Sequence, residues 1–140
     1  MIILSLDFGT KNIGVAIGQQ ITCTANTRDS IKVKNGIPDW GKISLIINNW
    51  KPKIIIIGKP LNMNGSYQNI IKKIKRFAKE LYEKFYIKIK LYDERLTTIE
   101  AKSILFKIGG YKKLNKNIID SLSAALILES WCLNYKKNKK

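Results

Sequence analysis

Ile2-Ile3-Leu4-Ser5-Leu6-Asp7-Phe8-Gly9-Thr10-Lys11-Asn12-Ile13-Gly14-Val15-Ala16-Ile17 opens with an apolar run that stops at an acid, turns through a glycine and resumes as a second apolar run. Two short β-rich runs around a turn of four or five residues predict an antiparallel pair of strands. The pair is closed by Gly18-Gln19-Gln20, and Ile21–Ala25 is expected to add a third strand, giving a meander.

Beyond the meander, Pro38 and Asp39 read as a helix start, because Trp40, Ile43, Ile46, Ile47 and Trp50 recur on one helical face and Pro52 follows. Ile54–Ile57 is a continuous β-branched run ending in Gly58, the pattern of a central strand buried on both faces. Gly58–Ser66 reads as a loop by composition. Ile70, Ile71, Ile74, Phe77, Ala78, Leu81 and Phe85 predict a helix over Tyr67–Tyr86 with lysines on its outer face. Ile87, Ile89 and Leu91 alternate with polar residues and predict a strand that ends at Asp93-Glu94-Arg95. Thr97 or Thr98, with Glu100 behind Thr97, predicts a capped helix to about Lys107. A basic loop over Gly109–Asn117 and a last helix over Ile118–Leu133 complete the chain. The order βββαβαβαα is that of one α/β domain with a mixed five-stranded sheet, expected over residues 1–134, with a basic flexible tail over 135–140.

Composition narrows the chemistry. The chain has 140 residues, about the length of one domain, and 45% of them are hydrophobic, which excludes disorder of the whole chain. Histidine is absent, which removes Ser-His-Asp and Cys-His nucleophiles and His-ligated zinc. Cys23 and Cys132 are far apart and support neither a disulfide framework nor a zinc site, so a reducing cytoplasmic home is expected. No apolar stretch is long enough to span a bilayer, and no membrane partner is expected. The 26 Lys+Arg against 10 Asp+Glu give +16, which favours a polyanionic partner, nucleic acid first. All but Arg28, Arg76 and Arg95 of these cations are lysine. Ile and Asn are abundant too, so A/T-rich codons offer a second account of the magnitude.

With so few acids, their positions are informative. Asp7 ends the first strand and Glu94 the strand after the long helix; if these strands and Ile54–Ile57 run parallel, both acids fall on the edge where open α/β sheets place ligands. Asp120 aligns with Ala124, Ile127 and Trp131 on the apolar face of the last helix. Three carboxylates about 5 Å apart at an effective dielectric of about 20 would repel by roughly 10 kcal/mol in total. That is comparable to the whole stability of a domain, so protonation or cations must relieve it. An all-oxygen ligand set selects Mg²⁺ or Mn²⁺, and two such ions serve phosphodiester hydrolysis by activating water and stabilising the leaving oxygen. In this reading Asp7 bridges both ions, Glu94 holds one and Asp120 the other. Structural alternatives stand beside each acid: an Asx turn at Asp7, a helix-dipole acid at Asp120, an ion pair at Glu94. Asp93 is set aside because it shares strand parity with Ile89 and Leu91. Lys11, beside Gly9 and Thr10, and Arg95 are candidate phosphate contacts. Tyr111, Lys112, Lys113 and Lys116 form a basic segment with one aromatic, suited to a nucleic-acid backbone and base stacking.

Leu6–Ala16, Ile57–Gly65, Asp93–Thr98 and Asp120–Ala125, in that order, resemble the YqgF (RuvX) family over roughly Met1 to Trp131. The resemblance implies a ribonuclease H-like fold and a nuclease that matures the 5′ end of 16S ribosomal RNA precursor, with ribosomal particles as partners. It also implies divalent-metal chemistry by acids at Asp7, Glu94 and Asp120. Lys59 stands where the family usually has an apolar residue, and Asn64 where it often has Asp. Three other readings remain: a DNA four-way-junction resolvase, which would need a homodimer rather than a monomer; a non-catalytic nucleic-acid-binding factor in ribosome assembly or transcription; and an actin- or sugar-kinase-like ATPase, for which one domain is too little.

Overall fold

The computed structural model describes residues 1–9, 11–60, 65–94 and 116–138; of these, 59–60, 65–68, 93–94, 116–120 and 136–138 are described by backbone alone. The strands are β1 (Ile2–Phe8), β2 (Asn12–Gln19), β3 (Thr24–Lys34), β4 (Ile37–Pro38), β5 (Ile54–Pro60) and β6 (Lys88–Glu94). The helices are α1 (Trp40–Trp50), α2 (Gly65–Phe85) and α3 (Lys116–Asn138). One sheet of order β4-β3-β2-β1-β5-β6 joins an antiparallel meander, β1 to β4, to the parallel strands β1, β5 and β6.

The expected mixed α/β architecture is present, with six strands among the described residues rather than five. The third strand is Thr24–Lys34, not Ile21–Ala25: Ile21 is 78% exposed in the β2–β3 turn, where Cys23 adopts a left-handed φ of 52°. The additional strand, β4, closes a hairpin through Asn35 and Gly36, both at positive φ (52° and 77°). Two such residues in succession are the requirement of a tight type I′ turn, met by Asn-Gly. Ile54–Ile57 extends to Pro60, into the segment expected as a loop, and residues 61–64 lie outside the described residues. So do the helix expected after Thr97 and most of the Gly109–Asn117 loop, although Lys116 and Asn117 already belong to α3. That helix also runs past Tyr135, the start of the expected tail, to Asn138, and Tyr135 stacks on Trp131 with ring centroids 5.2 Å apart.

Alternation sorts the side chains to two cores. Leu4, Leu6, Ile55, Ile57 and Ile89 pack under α1 and α2 with Ile43, Ile74, Phe77 and Leu81. Ile3, Ile54, Ile56 and Tyr92 pack under α3 with Ile127 and Leu128. β5 contributes to both, which is why its run is apolar without interruption. Helix α1 begins where Asp39 accepts a hydrogen bond from the Lys42 N–H (3.2 Å), and ends at Lys51, whose left-handed φ of 49° is followed by Pro52. On the other face, α3 approaches β2 closely over Ala16, Ala124 and Ala125. A side chain at Gly18 would meet the Thr24 carbonyl oxygen at 2.2 Å and the Leu128 side chain at 2.8 Å.

Cys23 and Cys132 form a disulfide, with Cα atoms 5.6 Å apart, tying the β2–β3 turn to α3. This corrects the expectation of two unlinked thiols. A sequence separation of 109 hid a pairing that the docking of α3 across β2 and β3 creates. Among the described residues no helix is long and apolar enough to cross a membrane.

Candidate active site

β1 delivers Asp7 to the carboxyl edge of the sheet. Ile3 and Ser5 are fully buried on the α3 side, and Asp7 continues that alternate set as a half-buried residue, whereas Phe8 packs with the core under α1 and α2. Across the antiparallel ladder Asp7 faces Gly14. The turn that follows is tight. A Cβ at Gly9 would stand 2.5 Å from the Asn12 carbonyl oxygen, so glycine lets the chain fold back at that point. The Lys11 carbonyl accepts the Val33 N–H (2.9 Å), which fastens the turn to β3.

The parallel register relates Glu94 to Asp7. Leu6, Ile57 and Leu91 lie in one row across β1, β5 and β6, and Glu94 ends β6 opposite Pro60. Glu94 falls on the alternate set of Tyr92, which belongs to the α3-side core, and Asp93 on that of Ile89, which belongs to the opposite core. Two strand spacings and two residues of offset put the Cα atoms of Asp7 and Glu94 about 12 Å apart by ideal sheet geometry.

A third acid arrives on α3. Ser121 is fully buried; its hydroxyl accepts the Val15 N–H (3.2 Å) and donates to the Arg28 carbonyl. The β2–β3 register shifts between Ile13 and Val15, and the hydroxyl bridges the two strands at that irregularity. Val15 pairs with Leu6 and Gly14 with Asp7. Asp120, the residue before Ser121, is thereby brought to the sheet at the level of Asp7. The positions in helical phase with it, Ala124 and Ile127, are fully buried.

Asp7 is thus described to its side chain, and Glu94 and Asp120 by backbone position. An aspartate and a glutamate at the carboxyl ends of two parallel strands, with a second aspartate in the first turns of the helix that packs on the sheet, offer only hard oxygen donors, a set that fits Mg²⁺ or Mn²⁺ better than thiophilic or imidazole-seeking metals. Lys11 is exposed on the turn beside Asp7. Lys116 opens α3, and Arg95, Tyr111, Lys112 and Lys113 lie outside the described residues. Ser121 is the residue that sequence reasoning missed. Its signal was slight, a hydroxyl beside Asp120, because its role depends on a register shift in a distant strand pair.

Comparison with known proteins agrees with the architecture. A family model described as RuvX, Holliday junction resolvase, matches residues 1–134. A protein of Wigglesworthia glossinidia brevipalpis named "Putative pre-16S rRNA nuclease" is 58% identical over 130 residues, covering 93% of this chain and 90% of that one. One of Buchnera aphidicola with the same name is 54% identical over 138 residues, 99% of this chain and 100% of the other. Among solved structures, Thermus thermophilus RuvC in complex with a Holliday junction substrate superposes with a TM-score of 0.64 at 10% identity, covering 97% and 96% of the two chains. The fowlpox virus resolvase in complex with Holliday junction DNA gives 0.53 at 20% identity, covering 96% and 99%. At those identities the likeness is one of fold.

Proposed function

The chain belongs to the RuvX family, and on that premise we propose that it is a divalent-metal-dependent nuclease acting on 16S ribosomal RNA precursor at its 5′ end. Its relatives at 58% and 54% identity, matched over 90% and 100% of their lengths, are named for nuclease action on pre-16S rRNA. The observations that support the reading at residue level are the shared carboxyl edge of the parallel strands β1 and β6, which end at Asp7-Phe8 and Glu94, and the Ser121 hydroxyl that holds the first turns of α3 to the β2–β3 pair beside β1.

In this mechanism Asp7, Glu94 and Asp120 would hold two Mg²⁺ or Mn²⁺ ions. The bound ions supply Lewis-acid activation of water and stabilisation of the leaving oxygen. Asp7, at the carboxyl end of the central strand β1, marks where the scissile phosphate would lie. Glu94 and Asp120 flank it from β6 and α3, and the Gly9 turn allows the phosphate to approach the backbone. Lys11 and Arg95 neutralise phosphate charge, and Tyr111, Lys112, Lys113 and Lys116 hold the flanking strand. A cytoplasmic site of action, on precursor RNA within ribosomal particles, follows from that substrate.

A second reading, resolution of DNA junctions, is favoured by the family description and by the shared fold. One experiment addresses both. Wild type and Asp7→Asn are compared with Mn²⁺ or Mg²⁺ on a 16S precursor leader and on a four-way DNA junction. The expected result is metal-dependent cleavage of the leader that Asp7→Asn abolishes. Paired symmetric cuts in the junction alone would select the second reading. Cleavage that survives Asp7→Asn, or folded wild type that cuts neither, would refute the carboxylate mechanism.

A further inference from the structure

On the other side of the sheet from Asp7, a cleft of about 290 Å³ lies between the β3–β4 hairpin and α2. We propose that this cleft receives one unstacked base of the nucleic-acid strand whose neighbouring phosphate is held at Asp7. The inference rests on the nucleic-acid reading above and adds a substrate subsite to it.

The walls are aromatic. Phe77 is buried and lies 5.1 Å from the ring of Phe8 and 5.6 Å from that of Trp40, centroid to centroid. Phe8 and Trp40 are only half-buried, so each keeps part of a ring for a ligand. Ile37 closes the hairpin side at 64% exposure, held there by the left-handed Asn35-Gly36 turn. Bases stack on such surfaces at roughly 1–3 kcal/mol each, without regard to sequence. The volume stands at the lower limit of the roughly 300–1,000 Å³ span of small-ligand clefts, too small for a duplex.

The rim is cationic, and this selects the occupant. Lys73 and Arg76 line the cleft from α2, and the Lys84 ammonium sits 5.0 Å from the centre of the Trp40 ring. Glu80, the one acid among the described residues of the lining, is answered by Arg76 at 3.4 Å. An apolar peptide or a second copy of this +16 chain would bring its own side chains against those cations, whereas a nucleotide brings an apolar ring and an anion together.

Position completes the argument. Phe8 follows Asp7 on β1, with Cα atoms about 3.8 Å apart, and the two residues face opposite sides of the sheet. A strand lying across the carboxyl edge therefore meets the acid with one nucleotide and the aromatic cleft with a neighbour. Prying that base from its stack would bend the strand at the scissile bond.

The test uses the full chain and a twelve-nucleotide RNA carrying one 4-thiouridine, with metal chelated so that binding is read without cleavage. Photo-crosslinks are expected at Phe8, Trp40 or Phe77. Replacing the thiouridine by an abasic residue should weaken binding about tenfold. The exposed pair Lys73→Ala/Arg76→Ala should lower the slope of log affinity against log salt by about 1.4, the loss of two phosphate contacts on a single strand. Crosslinks mapping elsewhere, or equal affinity for the abasic strand, would overturn the proposal. If Ile37→Asp turned a dimer into a monomer while crosslinks fell elsewhere, the cleft would be a contact between copies and the proposal would also fall. Cleavage by wild type is scored separately, so a failed cleft leaves the nuclease reading standing, and a failed nuclease leaves cleft crosslinks interpretable.

Discussion

Replacing Ser121 by alanine removes one oxygen atom and breaks two hydrogen bonds at once. The Val15 N–H lies in a strand residue with no solvent exposure, and the Ser121 side chain that receives it is fully buried. An unsatisfied buried group of this kind costs about 1–3 kcal/mol. The Arg28 carbonyl sits on the less buried strand β3, where water can replace the hydroxyl, so its loss adds little. A destabilisation of about 2 kcal/mol follows, and for a chain of this length roughly 4 °C of Tm accompanies each kcal/mol. Thermal unfolding followed by circular dichroism should therefore show a loss of about 8 °C. The same substitution loosens the first turns of α3 against β2, so cleavage activity should fall further than the folded fraction does when both are measured at 20 °C. A Tm change under 2 °C would refute the assignment of Ser121 as the bridge that seats Asp120. So would activity that merely tracks the folded fraction.

Ser5 has the opposite sign. Its hydroxyl is buried without a hydrogen-bond partner among the described residues, so Ser5→Ala should raise the urea midpoint, by about 1 kcal/mol in stability; a drop would mean that a polar contact is made there. Reduction of the Cys23–Cys132 disulfide should lower the Tm, since opening a loop of 109 residues restores up to about 4.7 kcal/mol of chain entropy in the loop-closure model. An unchanged Tm in dithiothreitol would show that the bond contributes nothing to folding. Burial pushes the Glu129 carboxyl above the ordinary carboxylate range, so the folded state binds its proton more readily than the unfolded state does. The penalty is then full above the folded pKa and is relieved as pH falls through it to the unfolded value. The Tm of Glu129→Gln relative to wild type should accordingly rise with pH through that window and then level off; a flat difference across it would contradict the burial argument.

What could be read without coordinates followed the physics that local sequence carries. The run Ile54–Ile57 announces a strand with two buried faces, and Asp39 announces the start of α1, because both effects act within a few residues. β3 was misplaced because most of its side chains are exposed and its order comes from pairing with β2 rather than from apolar alternation. β4 is a strand of only two residues, Ile37–Pro38, too short to carry any apolar alternation, and its pairing depends on the positive-φ turn at Asn35-Gly36. At the candidate site, the acids that end apolar strands stand out as misfits in an otherwise hydrophobic pattern, which is what makes them candidates. The disulfide, the Ser121 bridge and the Phe8–Trp40–Phe77 cluster do not stand out. Each is made by segments far apart in the chain, and no local regularity records their meeting.

The lysine content poses a last question, since codon bias and selection for binding both account for +16. The described lysines are scattered: Lys88 and Lys90 are exposed on β6, Lys32 and Lys34 on β3, and Lys72, Lys73, Lys75 and Lys79 on α2. A diffuse field of this kind draws any polyanion to the surface but selects no phosphate. Only a cation set beside a base-sized aromatic surface or the carboxylate edge couples attraction to position. Equal charge removed at different places separates the two accounts. Lys73→Gln/Arg76→Gln and Lys88→Gln/Lys90→Gln each subtract two charges, the first at the aromatic cleft and the second on the opposite face of the sheet. At about 0.15 M salt, charges more than about 8 Å from a phosphate are largely screened. The first pair should weaken binding of single-stranded RNA about tenfold and flatten its salt dependence. The second should change affinity less than twofold and leave the slope as it was. Equal losses in both variants would mean that binding reads the total charge alone, and the lysines would then need no explanation beyond the codons that encode them.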